Sequence, residues 1–273
     1  MNAAETIRQP GQWIAITHLP SPGLDRCELT HVARMPIDYP RALEQHAGYR
    51  RMLERRGARV IMLEMNRALP DSVFVEDTAL VLDEIAVLAS MGAVSRRAEP
   101  AGIANELRQY REVRAIELPA TLDGGDVFRV GRVLFAGISA RTNRGGVEAL
   151  QAVVRPFDYE VRSVPVNGCL HLKSACTPLP DDSLLVNREW LDPSSLAGFD
   201  LVPIPREEPL SADVLSIDNA VCLAAGHNRT AKLIRSRGFE VEEIDLSEFA
   251  KAEGAVTCLS LLFRPAAAAF VPT

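Results

Sequence analysis

The sequence predicts an α/β protein assembled from repeated units, and three copies of one pattern carry that prediction. Each copy reads, in order, an acidic residue, a strand, a two-residue turn, a second strand, a glycine, an arginine and a helix. The copies begin at Asp77, Asp126 and Asp213. Strand–strand–helix–strand units of about 40–50 residues favour radial or stacked repetition over a doubly wound sheet.

The strands of each copy follow from short apolar segments on either side of a turn. Alternation of apolar and polar residues over four to six positions is typical of half-buried strands. Two of the three turns contain glycine or asparagine, which tight hairpins prefer. The sequence therefore predicts three β-hairpins, with turns at Asp83-Glu84, Gly131-Arg132 and Asp218-Asn219.

The helices follow from apolar residues that recur every three or four positions and so share one face. Gly57 and Gly238 each come directly after an arginine, as is typical of the end of a helix. The predicted apolar faces are Ala42, His46, Tyr49 and Leu53 in a first helix, Ile103, Leu107 and Tyr110 in a second, and Val147, Leu150 and Val154 in a third.

Composition and charge restrict the classes of function. The chain has 273 residues, of which 47% are hydrophobic and 24% charged, as in ordinary globular proteins. Length alone permits one large domain or two, and we expect one catalytic domain over residues 1–273. The net charge of −6 and the lack of a basic run with interleaved aromatic residues argue against a nucleic-acid partner.

Targeting signals and cysteine usage indicate a cytoplasmic protein. No apolar run reaches the roughly 18 residues that a membrane span requires, and the first residues do not resemble a secretion signal. The five cysteines form no CxxC pair and lack zinc-finger spacing. We therefore expect free thiols in a reducing compartment and no membrane partner.

Candidate catalytic residues lie where the chain is predicted to turn. Cys258 follows a glycine in segment 253–260 (EGAVTCLS), and His171 lies in segment 168–173 (GCLHLK). Alone, such a cysteine is usually a small buried hydrophobe, and such a histidine is usually structural. In a radial assembly, however, the starts of equivalent strands converge. Cys258, His171, Asp77 and either Asp123 or Asp126 would then surround one central cavity, an arrangement suited to thiol catalysis on a cationic substrate.

Five motifs in register resemble one known family. The segments FVED (74–77), LDGGDV (122–127), SARTN (139–143), LHLKS (170–174) and VTC (256–258) resemble the dimethylarginine dimethylaminohydrolases, over about residues 33–263. That family belongs to the guanidino-group-modifying superfamily. The resemblance implies a five-bladed α/β propeller (pentein) with a central active-site cavity. It also implies hydrolysis of Nω-methylated arginine to citrulline and a methylamine, without a metal or an organic cofactor.

The resemblance also implies a role for each motif residue. Cys258 would be the nucleophile, His171 the general acid and base, and Asp123 the third catalytic residue, with Asp126 as the alternative carboxylate. The implied substrate-binding residues are Asp77 and Glu76 at the guanidinium, Asp71 at the amino-acid end, Leu29 in a flap over the cavity, and Arg96 and Arg141 at the α-carboxylate.

One position separates this family from the arginine deiminases, which resemble it but carry His-x-Asp. This chain has His171-Leu-Lys173 instead. A dimethylated nitrogen has no N–H, so a carboxylate aimed at it would stay unpaired, at a cost of about 1–3 kcal/mol. Lys173 therefore favours a methylated substrate. The alternatives are a deiminase-like hydrolase of unmethylated arginine and a non-catalytic propeller that acts by binding.

Overall fold

The computed structural model describes residues 12–265, and its strands are short and regularly spaced. In chain order the strands are β1 (Ile14–His18), β2 (Arg59–Leu63), β3 (Ala79–Val81), β4 (Ile85–Leu88), β5 (Glu112–Ala115), β6 (Val127–Val130), β7 (Val133–Ile138), β8 (Glu160–Pro165), β9 (Cys176–Pro178), β10 (Leu184–Val186), β11 (Leu201–Pro203), β12 (Val214–Ile217), β13 (Ala220–Ala224), β14 (Glu240–Ile244) and β15 (Leu261–Phe263). The α-helices are α1 (Tyr39–Arg55), α2 (Glu99–Leu107), α3 (Arg144–Val154), α4 (Leu172–Ala175), α5 (Asn228–Ser236) and α6 (Ser247–Ala250).

These strands form five three-stranded sheets that share one topology. In each sheet one outer strand is antiparallel to the middle strand, and the other outer strand is parallel to it. The antiparallel outer strands together line one cavity of about 460 Å³, and we call them the inner strands: β3, β6, β9, β12 and β15. Five sheets around a shared axis confirm the predicted five-bladed α/β propeller.

The ring of sheets is closed by the two ends of the described chain. Strand β15 pairs antiparallel with β1, with Phe263 opposite Ile14 and Leu261 opposite Ile16. The sheet therefore takes its inner strand from the C-terminal part of the chain and its other two strands from the N-terminal part. This discontinuity in sequence explains why the repeat pattern does not reveal that unit.

The predicted local structure is largely confirmed. All three hairpins are present, and Gly131 and Asp218 adopt left-handed backbone conformations at their turns, with φ of 57° and 49°. The predicted apolar face of α1 is buried along its whole length. Helix α2 ends at Leu107, earlier than the spacing predicts, yet Tyr110 is buried beyond that end, where its ring packs edge-on against Phe263.

One unit departs from the repeat. Between β10 and β11 the chain forms only a short 3-10 segment, Pro193–Leu196, in place of an α-helix. Because its sequence has no helical periodicity, the repeat pattern does not predict this unit either. Across residues 12–265, none of the helices combines the length and the apolar character needed to cross a bilayer.

Candidate active site

The predicted catalytic residues lie at the starts of the inner strands, as the repeat implies. Asp77 is in the 3-10 segment Val75–Thr78 before β3, and Asp123 directly precedes the 3-10 segment Gly124–Asp126 before β6. His171 precedes α4 and Cys258 lies in the loop before β15. Asp77, His171 and Cys258 line one narrow cavity, and Asp123 contacts His171 from outside that lining. The lining also includes Glu28, Asp71, Phe74, Arg96, Arg141 and Glu253.

His171 is enclosed by carboxylates. Its Nε2 lies 3.2 Å from Asp123 Oδ2, and its Nδ1 lies 3.6 Å from Asp77 Oδ1. Burial alone would lower the pKa of His171, but the charges of Asp77, Asp123 and Asp126 outweigh it and raise that pKa to about 9. The imidazole is therefore held protonated at neutral pH, and it can donate a proton to a leaving group.

Asp123, and not Asp126, is the carboxylate that contacts the imidazole ring. Asp123 Oδ1 also accepts a hydrogen bond from Gly92 N at 2.9 Å, which fixes the carboxylate plane. Asp126 instead accepts hydrogen bonds from Ser139 Oγ at 2.6 Å and from Leu172 N at 2.9 Å. The Asp123 side chain is thus long enough to reach the histidine.

Two glycines allow the acidic segments to approach each other. A Cβ on Gly124 would lie 2.1 Å from Glu76 O, and one on Gly125 would lie 2.6 Å from both Asp77 Oδ1 and His171 Nδ1. Gly125 N also donates to Asp77 Oδ1 at 3.1 Å. The Gly-Gly pair is therefore required by close packing inside the site, beyond any turn preference.

Cys258 is half-buried at the edge of the cavity, and its Sγ accepts a hydrogen bond from Ala255 N at 3.4 Å. Burial, followed by the negative charges of Asp213, Glu76 and Asp77, raises the pKa of this thiol well above its ordinary value. These effects favour the protonated thiol. A cation bound beside these carboxylates would offset their charge and favour the thiolate.

Glu76 and Lys173 form an ion pair in the lining of the axial cavity that the inner strands surround. Lys173 Nζ lies 2.6 Å from Glu76 Oε1. Within residues 12–265, Glu76 Oε2 has no hydrogen-bond partner. Burial raises the pKa of Glu76 despite this pairing. The sequence shows that Lys173 stands where arginine deiminases have an aspartate, but it does not reveal that Lys173 neutralises Glu76.

The two predicted carboxylate-binding arginines differ in their surroundings. Arg96 is buried and donates to Asp77 Oδ2 at 2.6 Å, to Glu99 Oε2 at 2.8 Å and to Phe74 O at 3.0 Å. Arg141 Nη2 lies 3.3 Å from Thr30 Oγ1, while its buried Nη1 lies 4.0 Å from Asp123 Oδ2 and has no hydrogen-bond partner in the described part of the chain. Arg141 is thus the arginine with donor capacity left for an anion.

Arg96 and His171 together control the charge of Asp77. Burial alone would raise the pKa of Asp77, but the positive charges of His171 and Arg96 lower it below its ordinary value. The carboxylate is therefore ionised in the cavity. Glu99, which the sequence does not single out, supports this arrangement because its carboxylate holds the far side of the Arg96 guanidinium.

A flap, residues 28–32, is tied across the cavity by two carboxylates. Glu28 N donates to Asp71 Oδ1 at 3.1 Å, and burial raises the pKa of Asp71. The Glu253 carboxylate accepts hydrogen bonds from the backbone N–H groups of residues 30, 31 and 32. Leu29, predicted to lie in this flap, packs against the same apolar cluster as Cys258. Sequence reasoning missed Glu253.

The site also has the geometry of a small cation site. One ligand atom from each of Asp77, Asp123 and His171 lies within 4.8 Å of the other two. Each of the two carboxylates also accepts a backbone N–H, from Gly125 and Gly92 respectively. The same three groups therefore have internal hydrogen-bond partners that stabilise their positions.

Comparisons with known proteins identify relatives of this chain. Residues 35–174 match a family model described as N,N dimethylarginine dimethylhydrolase, eukaryotic. The N(G),N(G)-dimethylarginine dimethylaminohydrolase of Streptomyces coelicolor is 38% identical over 92% of this chain and 96% of its own length. The enzyme of that name from Pseudomonas aeruginosa is 35% identical, over 83% of this chain and 90% of its own.

Solved structures show the same fold. A dimethylarginine dimethylaminohydrolase from Pseudomonas aeruginosa, a cysteine-to-serine mutant complexed with citrulline, matches with a TM-score of 0.87 and 33% identity, over 92% of this chain and 98% of that one. The N-terminal domain of ArgZ, a cyanobacterial arginine dihydrolase, matches with a TM-score of 0.80 at 20% identity, over 94% of this chain and all of that one, which is a likeness of fold. The chain is an enzyme that belongs to the dimethylarginine dimethylaminohydrolase family.

Proposed function

We propose that this chain, as a single cytoplasmic catalytic domain, hydrolyses Nω-methylated arginines to citrulline and dimethylamine or methylamine. The observation that carries the proposal is the polarity of one cavity. Asp77 presents its carboxylate at one end, beside Cys258 and His171, and Glu76 is its neighbour in sequence. Arg141 lines the same cavity, and its Nη1 has no hydrogen-bond partner among residues 12–265. A methylated arginine carries the complementary charges, a cation at its side-chain end and an α-carboxylate at the other.

Substrate binding follows from the unpaired groups. The guanidinium hydrogen-bonds to Asp77 and to Glu76 Oε2, which lacks a partner among the described residues. Arg141 binds the α-carboxylate. Arg96 lines the same cavity and adds a second positive charge, although its guanidinium already contacts Asp77 and Glu99. Asp71 then lies within the cavity for the α-amino group, and Leu29 covers the substrate from the flap.

In the first half-reaction the bound cation lowers the cost of ionising Cys258, and the thiol proton leaves to solvent. The thiolate attacks the guanidinium carbon and forms a C–S bond. His171, protonated because its pKa is raised to about 9, transfers a proton to the methylated nitrogen. The C–N bond breaks, dimethylamine leaves, and an S-alkylthiouronium remains on Cys258.

In the second half-reaction the now neutral His171 takes a proton from a water molecule. The water oxygen attacks the thiouronium carbon, its remaining proton passes to solvent as the C–S bond breaks, and citrulline and the Cys258 thiolate result. Asp123 keeps the imidazole oriented through both proton transfers because it contacts Nε2 at 3.2 Å and is itself fixed by Gly92 N.

Lys173 supports a methylated substrate over free arginine. Its ammonium lies on Glu76 Oε1, so this position adds a cation where a deiminase adds a carboxylate. A methylated nitrogen offers few or no N–H groups and loses nothing when no acceptor faces it. The proposal therefore distinguishes this chain from hydrolases of unmethylated arginine.

The test is a citrulline assay on the purified protein with asymmetric dimethylarginine and, separately, with arginine. We expect citrulline from the methylated substrate, and no turnover by Cys258→Ser. The Cys258→Ser protein should still bind citrulline, seen as a raised melting temperature. Citrulline mainly from arginine would assign a deiminase-like activity, and normal rates in a folded Cys258→Ser protein would exclude the mechanism.

A further inference from the structure

The starts of the inner strands are linked by side-chain to backbone hydrogen bonds that pass from each sheet to the next. Asp77, at the start of β3, accepts from Gly125 N, in the segment that leads into β6, at 3.1 Å. Asp126, at the start of β6, accepts from Leu172 N, ahead of β9, at 2.9 Å. In both cases one sheet fixes the backbone that leads into the inner strand of the following sheet.

The same relation continues around the axis. Thr177 Oγ1, in β9, accepts from Val214 N in β12 at 3.2 Å. Asp213, directly before β12, accepts from Thr257 N, ahead of β15, at 3.1 Å. The ring closes through the backbone, because Glu76 N donates to the carbonyl oxygen of Cys258 at 3.2 Å.

Two of these links hold residues adjacent to the proposed catalytic groups. Leu172 directly follows His171, and Thr257 directly precedes Cys258. Asp213 makes a second contact as well, because Thr257 Oγ1 donates to its Oδ2 at 3.1 Å. The Asp213 carboxylate therefore holds both the backbone and the side chain of the residue that comes before the nucleophile.

The side-chain acceptors in these links are of two types, carboxylate and hydroxyl. Among the four links made by side chains, those to a segment with a proposed catalytic residue have a carboxylate as the acceptor, Asp77, Asp126 or Asp213. Where the segment carries none, at the start of β12, the acceptor is the neutral hydroxyl of Thr177. Asp213 is 5% exposed and has no ion pair within residues 12–265. Burying an unpaired carboxylate costs free energy, which a purely structural link could avoid with a hydroxyl.

We infer that Asp213 is a positioning residue for Cys258, a role that rests on the proposed function of that cysteine. Its two hydrogen bonds to Thr257 fix the loop before β15, so that the thiol faces the guanidinium carbon. Its negative charge also acts on Cys258 and discourages premature ionisation of the thiol. Both effects are lost if the carboxylate is removed, but only the second is lost if its charge alone is removed.

The charged groups around Asp213 support this division of effects. Burial, followed by the charge of Glu76 on the 3-10 segment before β3, raises the pKa of Asp213 to about 7, while Thr257 and Lys173 of α4 act in the opposite direction. Asp213 is in turn the first charge, after burial itself, that raises the pKa of Cys258. The two groups are therefore electrostatically linked across the Thr257 contact.

The experiment compares Asp213→Asn with Asp213→Ala in the full-length protein. Asparagine can accept from Thr257 N and donate to Thr257 Oγ1, so it preserves both contacts without the charge. We expect kcat to stay within several-fold of wild type in Asp213→Asn and to fall roughly 100-fold in Asp213→Ala, with little change in KM, because misplacing a reacting atom has that effect. Alkylation of Cys258 by iodoacetamide, followed against pH, should have a lower midpoint in Asp213→Asn.

Ser216→Ala is the matched control, since it removes a hydrogen bond between β12 and β9, from Ser216 Oγ to Pro178 O at 2.9 Å, that involves neither Asp213 nor the residues beside it. It should lower the melting temperature while leaving kcat within about twofold of wild type. A folded Asp213→Ala protein with wild-type kcat would overturn the inference, as would an unchanged alkylation midpoint in Asp213→Asn. If Asp213→Ala fails to fold, Asp213→Asn and Thr257→Val decide the question, and unaltered alkylation and kcat in both would contradict it.

Alkylation separates this inference from the proposed function, because the reaction with iodoacetamide needs no turnover. A wild-type protein that forms no citrulline would contradict the proposed function. The alkylation midpoints of the wild-type and Asp213→Asn proteins would still decide whether Asp213 controls the thiol.

Discussion

Asp123 Oδ2 lies 3.2 Å from His171 Nε2 inside the protein, and each residue belongs to the segment that leads into the inner strand of a different sheet. The contact joins residues that are 48 positions apart in sequence. Because Asp123 is fully buried and its other oxygen accepts from Gly92 N, it has little freedom to leave the imidazole. This relationship makes the orientation of His171 a property of the assembled propeller.

Asp123→Asn should therefore damage catalysis more than stability. An amide at this position can present an N–H toward the ring and select the wrong imidazole tautomer, as in serine proteases, where the same change costs about 10⁴ in kcat. We expect a loss of about 10²–10⁴ in kcat with a smaller effect on KM. Steady-state kinetics with asymmetric dimethylarginine measures both, and Asp158→Asn on the exposed surface is the control. A loss of less than tenfold would remove Asp123 from the catalytic group.

The sequence predicts the convergence of Cys258, His171 and Asp77 because equivalent residues of a repeat occupy equivalent places. The structure confirms that these three residues share one cavity. Periodicity also predicts the hairpins and the apolar face of α1, since both depend on neighbours in sequence. What it predicts well is local structure, together with long-range relations that symmetry imposes.

Glu253 and Asp213 show what a single sequence does not reveal. Glu253 binds the backbone of Thr30, which is 223 positions away, and Asp213 binds Thr257, 44 positions away. Any residue can supply a backbone N–H, so such partners leave no signature in residue types. The sequence does not predict the Glu76–Lys173 ion pair for a related reason. Many oppositely charged residues could pair with Glu76, and only the folded structure determines which one does.

Lys173→Met should destabilise the protein, because it leaves Glu76 buried without a countercharge. Breaking one partner of a buried ion pair typically costs about 3–5 kcal/mol. We expect a loss of that order in the free energy of unfolding, measured by urea denaturation at neutral pH. The double variant Lys173→Met with Glu76→Gln should recover part of it, because the unpaired charge is gone. Equal stabilities of the single and double variants would contradict this account of the pair.

Protonation of His171 should stabilise the fold in a defined pH range. Its pKa is raised from an ordinary 6.5 to about 9 by Asp77, Asp123 and Asp126, against the effect of burial. Because the folded state binds the proton more tightly than the unfolded state, this stabilisation is complete below about pH 6.5 and is lost as the pH rises through about 9. Urea denaturation of wild type and His171→Gln should show a stability difference that shrinks over this range. A difference that is constant with pH would show that the carboxylates do not hold the proton.

Arg141→Ala should weaken substrate binding with less effect on the chemical step. Its buried Nη1 has no hydrogen-bond partner among residues 12–265, and the proposed ligand of that nitrogen is the α-carboxylate of the substrate. Losing a buried charge-assisted contact of this kind costs about 2–5 kcal/mol, which corresponds to a rise in KM of roughly 30-fold or more. Steady-state kinetics with asymmetric dimethylarginine gives KM and kcat separately.

A substrate analogue without the carboxylate, Nω,Nω-dimethylagmatine, provides the matched control for Arg141. If Arg141 binds the carboxylate, wild type and Arg141→Ala should turn this analogue over with similar kcat/KM, since neither makes the contact. A variant that is impaired equally on both substrates would instead indicate that Arg141 acts through Thr30 of the flap, to which its Nη2 lies at 3.3 Å. The ratio of the two effects thus separates carboxylate binding from flap closure.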